Sequence, residues 1–281
     1  DLWEELTKPV PMAAAEYPWP MLNRVCRGFR KGEMVTLTAG SGIGKSSLCR
    51  ELSHHFLRSG LAVGYIALEE SVRRTMQALV GIELGVPIHL EPDRATRDEM
   101  RVAFDRVFAA GRCFLYDHFG SIDPDRLVEQ IRYLADGEGV DVVVLDHLTI
   151  VISGLTDLDE RRAIDATCTK LRQVGEQSGV GLILVSHLRR PEGRGHEEGA
   201  ATSLGHLRGS HAIAQLSDLV VGAERNQQGE SHTRNELQLR VLKNRFSGMT
   251  GLCDKLLYNQ DTGRLIVPIS TYFGTPVSKS A

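Results

Sequence analysis

The sequence predicts an α/β domain: a mainly parallel sheet flanked by helices, with antiparallel strands added toward the C terminus. Three observations predict it. Short apolar runs alternate with longer segments of helical spacing between residues 33 and 186, which calls for crossovers between parallel strands. Two of those runs, 142–145 and 182–185, are continuously apolar, as strands covered on both faces are. Beyond residue 205, strand-like segments follow one another with Gly- and Asn-bearing turns between them.

Taken in order, residues 1–30 carry Pro9, Pro11, Pro18 and Pro20 with little periodicity, and read as an N-terminal arm or linker. Leu2, Trp3 and Leu6 within it suit either a docking helix or an unstructured stub. The domain proper is expected over 31–270, followed by a tail at 271–281. Its first strand, 34–38, breaks into a Gly-rich turn and a helix over 45–58. A strand over 62–68 and helices over 72–84 and 98–109 follow, then a brief strand at 113–116. A helix over 124–135, a strand over 140–146, a long amphipathic helix over 159–177 and a strand over 180–186 complete the alternating part. Residues 189–205 are polar, rich in Gly, Arg and Glu, and read as a long loop. The closing strands are expected at 219–223, 237–242, 252–257 and 265–269.

Composition bounds the function. The 281 residues are 42% hydrophobic and 25% charged, which suits one large globular domain and excludes collagen-like, coiled-coil and wholly disordered chains. A net charge of −3 argues against a uniformly basic nucleic-acid coat, but not against a local basic patch. The five cysteines are scattered and never spaced C-x-x-C, so neither a zinc site nor a disulfide framework is indicated, and a reducing compartment is expected. No apolar run approaches the ~20 residues that span a bilayer, and no secretory leader pattern is present. The first residue is Asp1 rather than Met, so the sequence reads as an excised fragment.

The chemistry is carried by strand ends. Gly40-Ser41-Gly42-Ile43-Gly44-Lys45-Ser46 lies between a strand and a helix, the context of a phosphate-binding loop. Its glycines let backbone N–H groups turn toward phosphate, and the helix N terminus adds its dipole. Lys45 is placed to reach the terminal phosphates and Ser46 to ligate Mg²⁺. The strict pattern wants Gly where this chain has Ala39. Asp146 ends a later apolar strand, where a second carboxylate completes a Mg²⁺ shell in such enzymes. Glu69 and Glu70 end the strand 62–68; either can serve as a base for the attacking water, and both also suit a helix start. His187 ends the strand 180–186 at the same expected edge, where a phosphate sensor or a plain loop histidine fits.

Several segments then occur together in order: Ala67-Leu-Glu-Glu-Ser71, Val144-Leu-Asp-His147, Val185-Ser-His-Leu188, Leu207-Arg-Gly-Ser210, Gln215-Leu-Ser-Asp218, Glu224-Arg-Asn-Gln-Gln228 and Lys243-Asn-Arg-Phe246. The set resembles the helicase domain of the phage T7-type primase-helicases, the mitochondrial Twinkle helicases and the DnaB-type bacterial replicative helicases, over about residues 32–268. The resemblance implies a RecA-like P-loop NTPase core in a homo-hexameric or heptameric ring around single-stranded DNA. It implies ATP or dTTP as substrate, Mg²⁺ as cofactor, and hydrolysis driving 5′→3′ translocation and unwinding. Lys45, Ser46 and Ser47 would meet phosphates and metal, with Gly40, Ser41, Gly42 and Gly44 in the loop and Asp146 in the metal shell. Glu69 aligns with the catalytic base, His187 with the phosphate sensor, and Gln215 with the residue linking phosphate state to DNA loops. Arg245, with Lys243 beside it, is similar to the arginine finger offered to a neighbouring subunit, and Arg225 and Tyr258 resemble the pair that sandwiches the base.

In this family the stretches holding Arg189, Arg190 and Arg194, and Arg208, Gly209 and Ser210, face the ring channel. Few aromatics stand in them, so phosphate tracking is expected rather than base stacking. A primase domain, or a separate primase and a DNA polymerase, are the implied partners. The implied setting is the cytoplasm of a bacterial or phage-infected cell in preference to a mitochondrion. Another RecA-like DNA-dependent ATPase, a recombinase or a nucleotide-gated loader without unwinding, is the competing reading.

Overall fold

The computed structural model describes residues 2–7, 12–109, 111–148, 157–191, 193–207, 211–231 and 233–268. Its helices are α1 (Leu2–Thr7), α2 (Pro20–Cys26), α3 (Lys45–Arg58), α4 (Val72–Leu84), α5 (Arg97–Phe108), α6 (Pro124–Arg132), α7 (Asp157–Ser178) and α8 (His211–Leu216). Its strands are β1 (Met34–Ala39), β2 (Val63–Ala67), β3 (Cys113–Tyr116), β4 (Val142–Asp146), β5 (Gly181–His187), β6 (Leu219–Glu224), β7 (Glu236–Asn244), β8 (Gly251–Asn259) and β9 (Arg264–Ile266). They form one sheet in the order β3-β2-β4-β5-β1-β6-β7-β8-β9. From β3 to β6 every pairing is parallel, and β7, β8 and β9 add antiparallel.

The elements expected between 34 and 186 all form. After Arg132 the chain continues α6 as a π-helical turn, Tyr133–Gly137. Alternation along β1 explains how the sheet is covered on both sides. Val35, Leu37 and Ala39 join one core with Leu48, Leu52 and Phe56 of α3, whereas Met34 joins the opposite core with Leu127 of α6 and Leu171 of α7. The two threonines between are buried but satisfied: Thr36 Oγ1 lies 2.8 Å from Ser217 Oγ, and Thr38 donates to the Ser186 carbonyl.

Residues 12–30 differ from the arm read out of the sequence. Tyr17, Trp19, Leu22, Cys26 and Phe29 are all buried in the α3-side core. Phe29 stacks near Phe56 with ring centroids 4.9 Å apart, and it lies so close to β5 that a Cβ on Gly181 would stand 2.2 Å from its ring. The helix α2 is capped from far along the chain. Buried Asp254 of β8 accepts from Met21 N at 3.1 Å and Leu22 N at 2.7 Å, while the N-cap residue Trp19 contributes no side-chain bond. The expected tail, 271–281, lies outside the described residues.

Candidate nucleotide-hydrolysing site

The loop between β1 and α3 takes its shape from glycines at two kinds of position. Gly42 and Gly44 hold φ of 70° and 122°, in the region that disfavours a side chain. Gly40 instead answers a close approach: a Cβ there would lie 2.6 Å from the Cβ of His196. Ala39, the departure from the strict motif, is fully buried in the core, and it still offers its carbonyl to the loop. Lys45 Nζ donates to the carbonyls of Gly40 at 2.8 Å and Ala39 at 3.2 Å. Burial lowers the Lys45 pKa to about 8, against the opposing pull of Asp146 and Glu69.

Parallel neighbours deliver the carboxylates to the same edge. Asp146 is buried at the end of β4; burial raises its pKa above the usual carboxylate range, while a hydrogen bond from the Ser46 side chain opposes that. A hydroxyl and a carboxylate together are an oxygen donor pair of the kind Mg²⁺ selects, so the residues present fit that ion. The structure separates the two glutamates after β2. Glu70 is engaged by Arg50 and by Thr75 Oγ1 at 2.6 Å. Glu69 is 59% exposed and reaches the edge, with its Oε1 2.9 Å from Nε2 of buried His147. The His147 ring in turn meets the His187 ring edge-on, centroids 4.1 Å apart.

A cavity of about 330 Å³ adjoins the loop, lined by Gly42, Gly44 and Ser47 on one side and Arg225 and Tyr258 on the other. Arg225 is fixed by donation to the Arg234 carbonyl at 2.5 Å and to Asn235 Oδ1 at 3.1 Å. Burial lowers its pKa, and Tyr258 pulls the other way. A planar guanidinium and an aromatic ring beside one cavity suit a flat base.

Gln215, Lys243 and Arg245 gather elsewhere. Lys243 donates to the carbonyls of Ala214 and Gln215, and Arg245 to the Gln215 carbonyl at 2.8 Å and to Asp218 Oδ1 at 2.9 Å. Asp218 also accepts from Met34 N and from Arg172. Arg245 thus lies level with the start of β1, whereas Lys45 follows its end; five residues of strand put roughly 16 Å between those levels. Gln215 is therefore not brought to the Lys45 edge.

The loop after β5 folds back over the glycine-rich turn between β1 and α3. His196 packs on Gly40, with its Nε2 3.2 Å from the Arg189 carbonyl. Gln227 Nε2 donates to the Gly42 carbonyl at 2.8 Å, and Gln227 N donates to the Glu197 carbonyl. Arg189, Arg190 and Arg194 are exposed on this loop, with Arg190 3.4 Å from Glu197. Arg208, Gly209 and Ser210 lie outside the described residues. Sequence reasoning assigned no role to His147, His196, Asp218 or Gln227. Three of them stand inside the quoted motifs, and only His196 carried no signal.

The family pattern described as "DnaB-like helicase C terminal domain" matches residues 17–265. The chain belongs to this family. The match begins at Tyr17, inside the segment that the structure folds onto the core. Among relatives of this DnaB-like domain, the DNA helicase/primase of Enterobacteria phage T3 is 41% identical over 250 residues, 87% of this chain and 44% of that protein. The probable plasmid replicative DNA helicase of Chlamydia psittaci is 23% identical over 246 residues, covering 84% of this chain and 52% of that protein. The chain therefore spans about half the length of these relatives. In fold it is similar to the solved ATPase domain of G40P, with a TM-score of 0.76 at 17% identity, covering 95% of this chain and 96% of that one. Among the described residues, no helix of the domain is long and apolar enough to cross a membrane.

Proposed function

We propose that this DnaB-like domain is the NTP-hydrolysing motor of a ring-shaped replicative DNA helicase, which moves 5′→3′ on single-stranded DNA and separates duplex strands. The observation that carries the reading is the division of the site between two edges of the sheet. Lys45, Asp146, Glu69 and His187 share one edge, and Arg245 stands at the other, held by Asp218. Within one chain Arg245 does not reach the nucleotide bound at Lys45. In a head-to-tail ring, the Arg245 edge of one copy meets the Lys45 edge of the next.

In that arrangement Glu69 orients the attacking water and accepts its proton, and its exposure leaves room for both. Lys45 leaves its carbonyl partners for the phosphates, and Arg225 and Tyr258 hold the base of ATP or dTTP. Ser46 and Asp146 would hold Mg²⁺, which neutralises charge developing on the phosphates when bound. Arg245 adds positive charge from the neighbouring copy, a contribution worth ~10³–10⁵ in rate. His187 senses the terminal phosphate. Contacts of His196 on Gly40 and Gln227 on Gly42 give the loop of Arg189, Arg190 and Arg194 a mechanical link to the phosphate-binding turn. With Arg208, Gly209 and Ser210, that loop tracks the DNA backbone. Six or seven copies form the ring, and the helicase/primase name of the phage T3 relative supports a primase as the linked or bound partner. The setting is the cytoplasm of a bacterial or phage-infected cell.

Hydrolysis measured with and without single-stranded DNA, beside unwinding of a forked duplex, tests this. DNA-stimulated turnover with unwinding that needs a 5′ tail is expected. Stimulated turnover without unwinding would favour a recombinase or loader, and turnover indifferent to DNA would sink both.

A further inference from the structure

His187 ends β5, His147 follows β4 directly and Glu69 lies two residues past β2, so all three stand at the same ends of three strands that are neighbours in the sheet. One ligand atom from each lies within 4.8 Å of the others. His147 is buried and His187 half-buried, so the two imidazoles are held by the fold, whereas Glu69 is exposed enough to turn toward them. Two imidazoles and one carboxylate, with the remaining direction open to solvent, are a donor set of catalytic zinc centres. Zinc–ligand bonds near ~2.1 Å in a tetrahedral shell put donor atoms about 3.4 Å apart, so the 2.9 Å Glu69–His147 pair opens slightly while the wider separations, none above 4.8 Å, close by side-chain rotation. Magnesium has the opposite preference: it takes oxygen ligands, and Ser46 and Asp146 supply those separately.

We propose that Glu69, His147 and His187 form a second metal site, selective for zinc-class divalent ions over Mg²⁺, whose occupation stops hydrolysis by withdrawing the Glu69 carboxylate from water. The binding half stands on the geometry alone, and the inhibitory half rests on Glu69 acting as base.

The test uses the full chain, stripped of metal and without nucleotide. Zn²⁺ is titrated in competition with a chromophoric chelator, and Co²⁺ is followed by its visible absorption. One ion per chain is expected, with affinity falling at least on the order of tenfold in Glu69→Gln and in His187→Ala. Glu69 is exposed, so its variant keeps the fold and remains interpretable even if His187→Ala does not. Hydrolysis in saturating Mg²⁺ and NTP should fall as Zn²⁺ is added, should not recover with more NTP, and should return with chelator. Equal affinity in wild type and both variants, or a thiolate charge-transfer band marking capture by cysteine, would overturn the site. Zinc binding with the expected losses but undiminished hydrolysis would overturn the inhibitory role. The base assignment is judged separately, by hydrolysis of Glu69→Gln in zinc-free buffer.

Discussion

At the scale of residues, the adjacent pair Glu69 and Glu70 shows how environment divides labour between identical side chains. Glu70 is bound by Arg50 and Thr75, and Glu69 faces the open edge beside His147. Glu69→Gln should retain NTP binding and lose hydrolysis by ~10²–10⁴-fold, the range of a general base, while Glu70→Gln should lose far less; single-turnover assays with a binding control check this. Lys45 gives a second prediction. Its pKa is lowered to about 8 by burial, and arriving phosphates favour the charged form, so NTP binding draws a proton onto Lys45 as pH rises through that value. The apparent KM should be flat below pH 8 and rise above it by about tenfold per pH unit. A flat profile to pH 9 would remove Lys45 from the titration. The positions of Lys45 and Asp146 at one edge were legible, because a strand–turn–helix context marks the first and the end of an apolar strand marks the second. Glu69 was singled out over Glu70 by the family resemblance alone, because the physical reason, Arg50 and Thr75 on Glu70, comes from separate helices.

At the scale of elements, α2 is the instructive case. It is seven residues long, begins at Pro20 and has no capping side chain of its own. What ends its unsatisfied N–H groups is Asp254, 232 residues beyond Leu22 and fully buried. Asp254→Ala leaves two backbone donors in the interior without this acceptor and should destabilise the domain by about 1–3 kcal/mol in denaturant unfolding. An unchanged midpoint would show that α2 does not depend on this cap. The strands and long helices were legible since periodicity and apolar continuity are local signals. The helix α2 was hidden because its cap, and the Phe29 packing beside it, come from elsewhere in the chain; α8, with six residues, was too short for periodicity to show.

At the scale of the molecule, the position of Arg245 matters more than its charge. Asp218 binds it together with Arg172 and the start of β1, so the proposed finger is held at the sheet's far edge. On the proposed function, each copy presents a phosphate-binding edge and a finger edge, and neither is sufficient alone. The same proposal reconciles a net charge of −3 with DNA binding, since a ring would gather the exposed arginines of its loops into one channel. The central claim is that the hydrolytic site forms between copies, and subunit mixing tests it directly. Lys45→Ala and Arg245→Ala should each be inactive as uniform rings. Mixed, they place an intact Lys45 against an intact Arg245 at some interfaces, and hydrolysis should return. If Arg245→Ala alone hydrolyses at the wild-type rate, or if assembled mixtures stay as inactive as their parents, the shared site is contradicted.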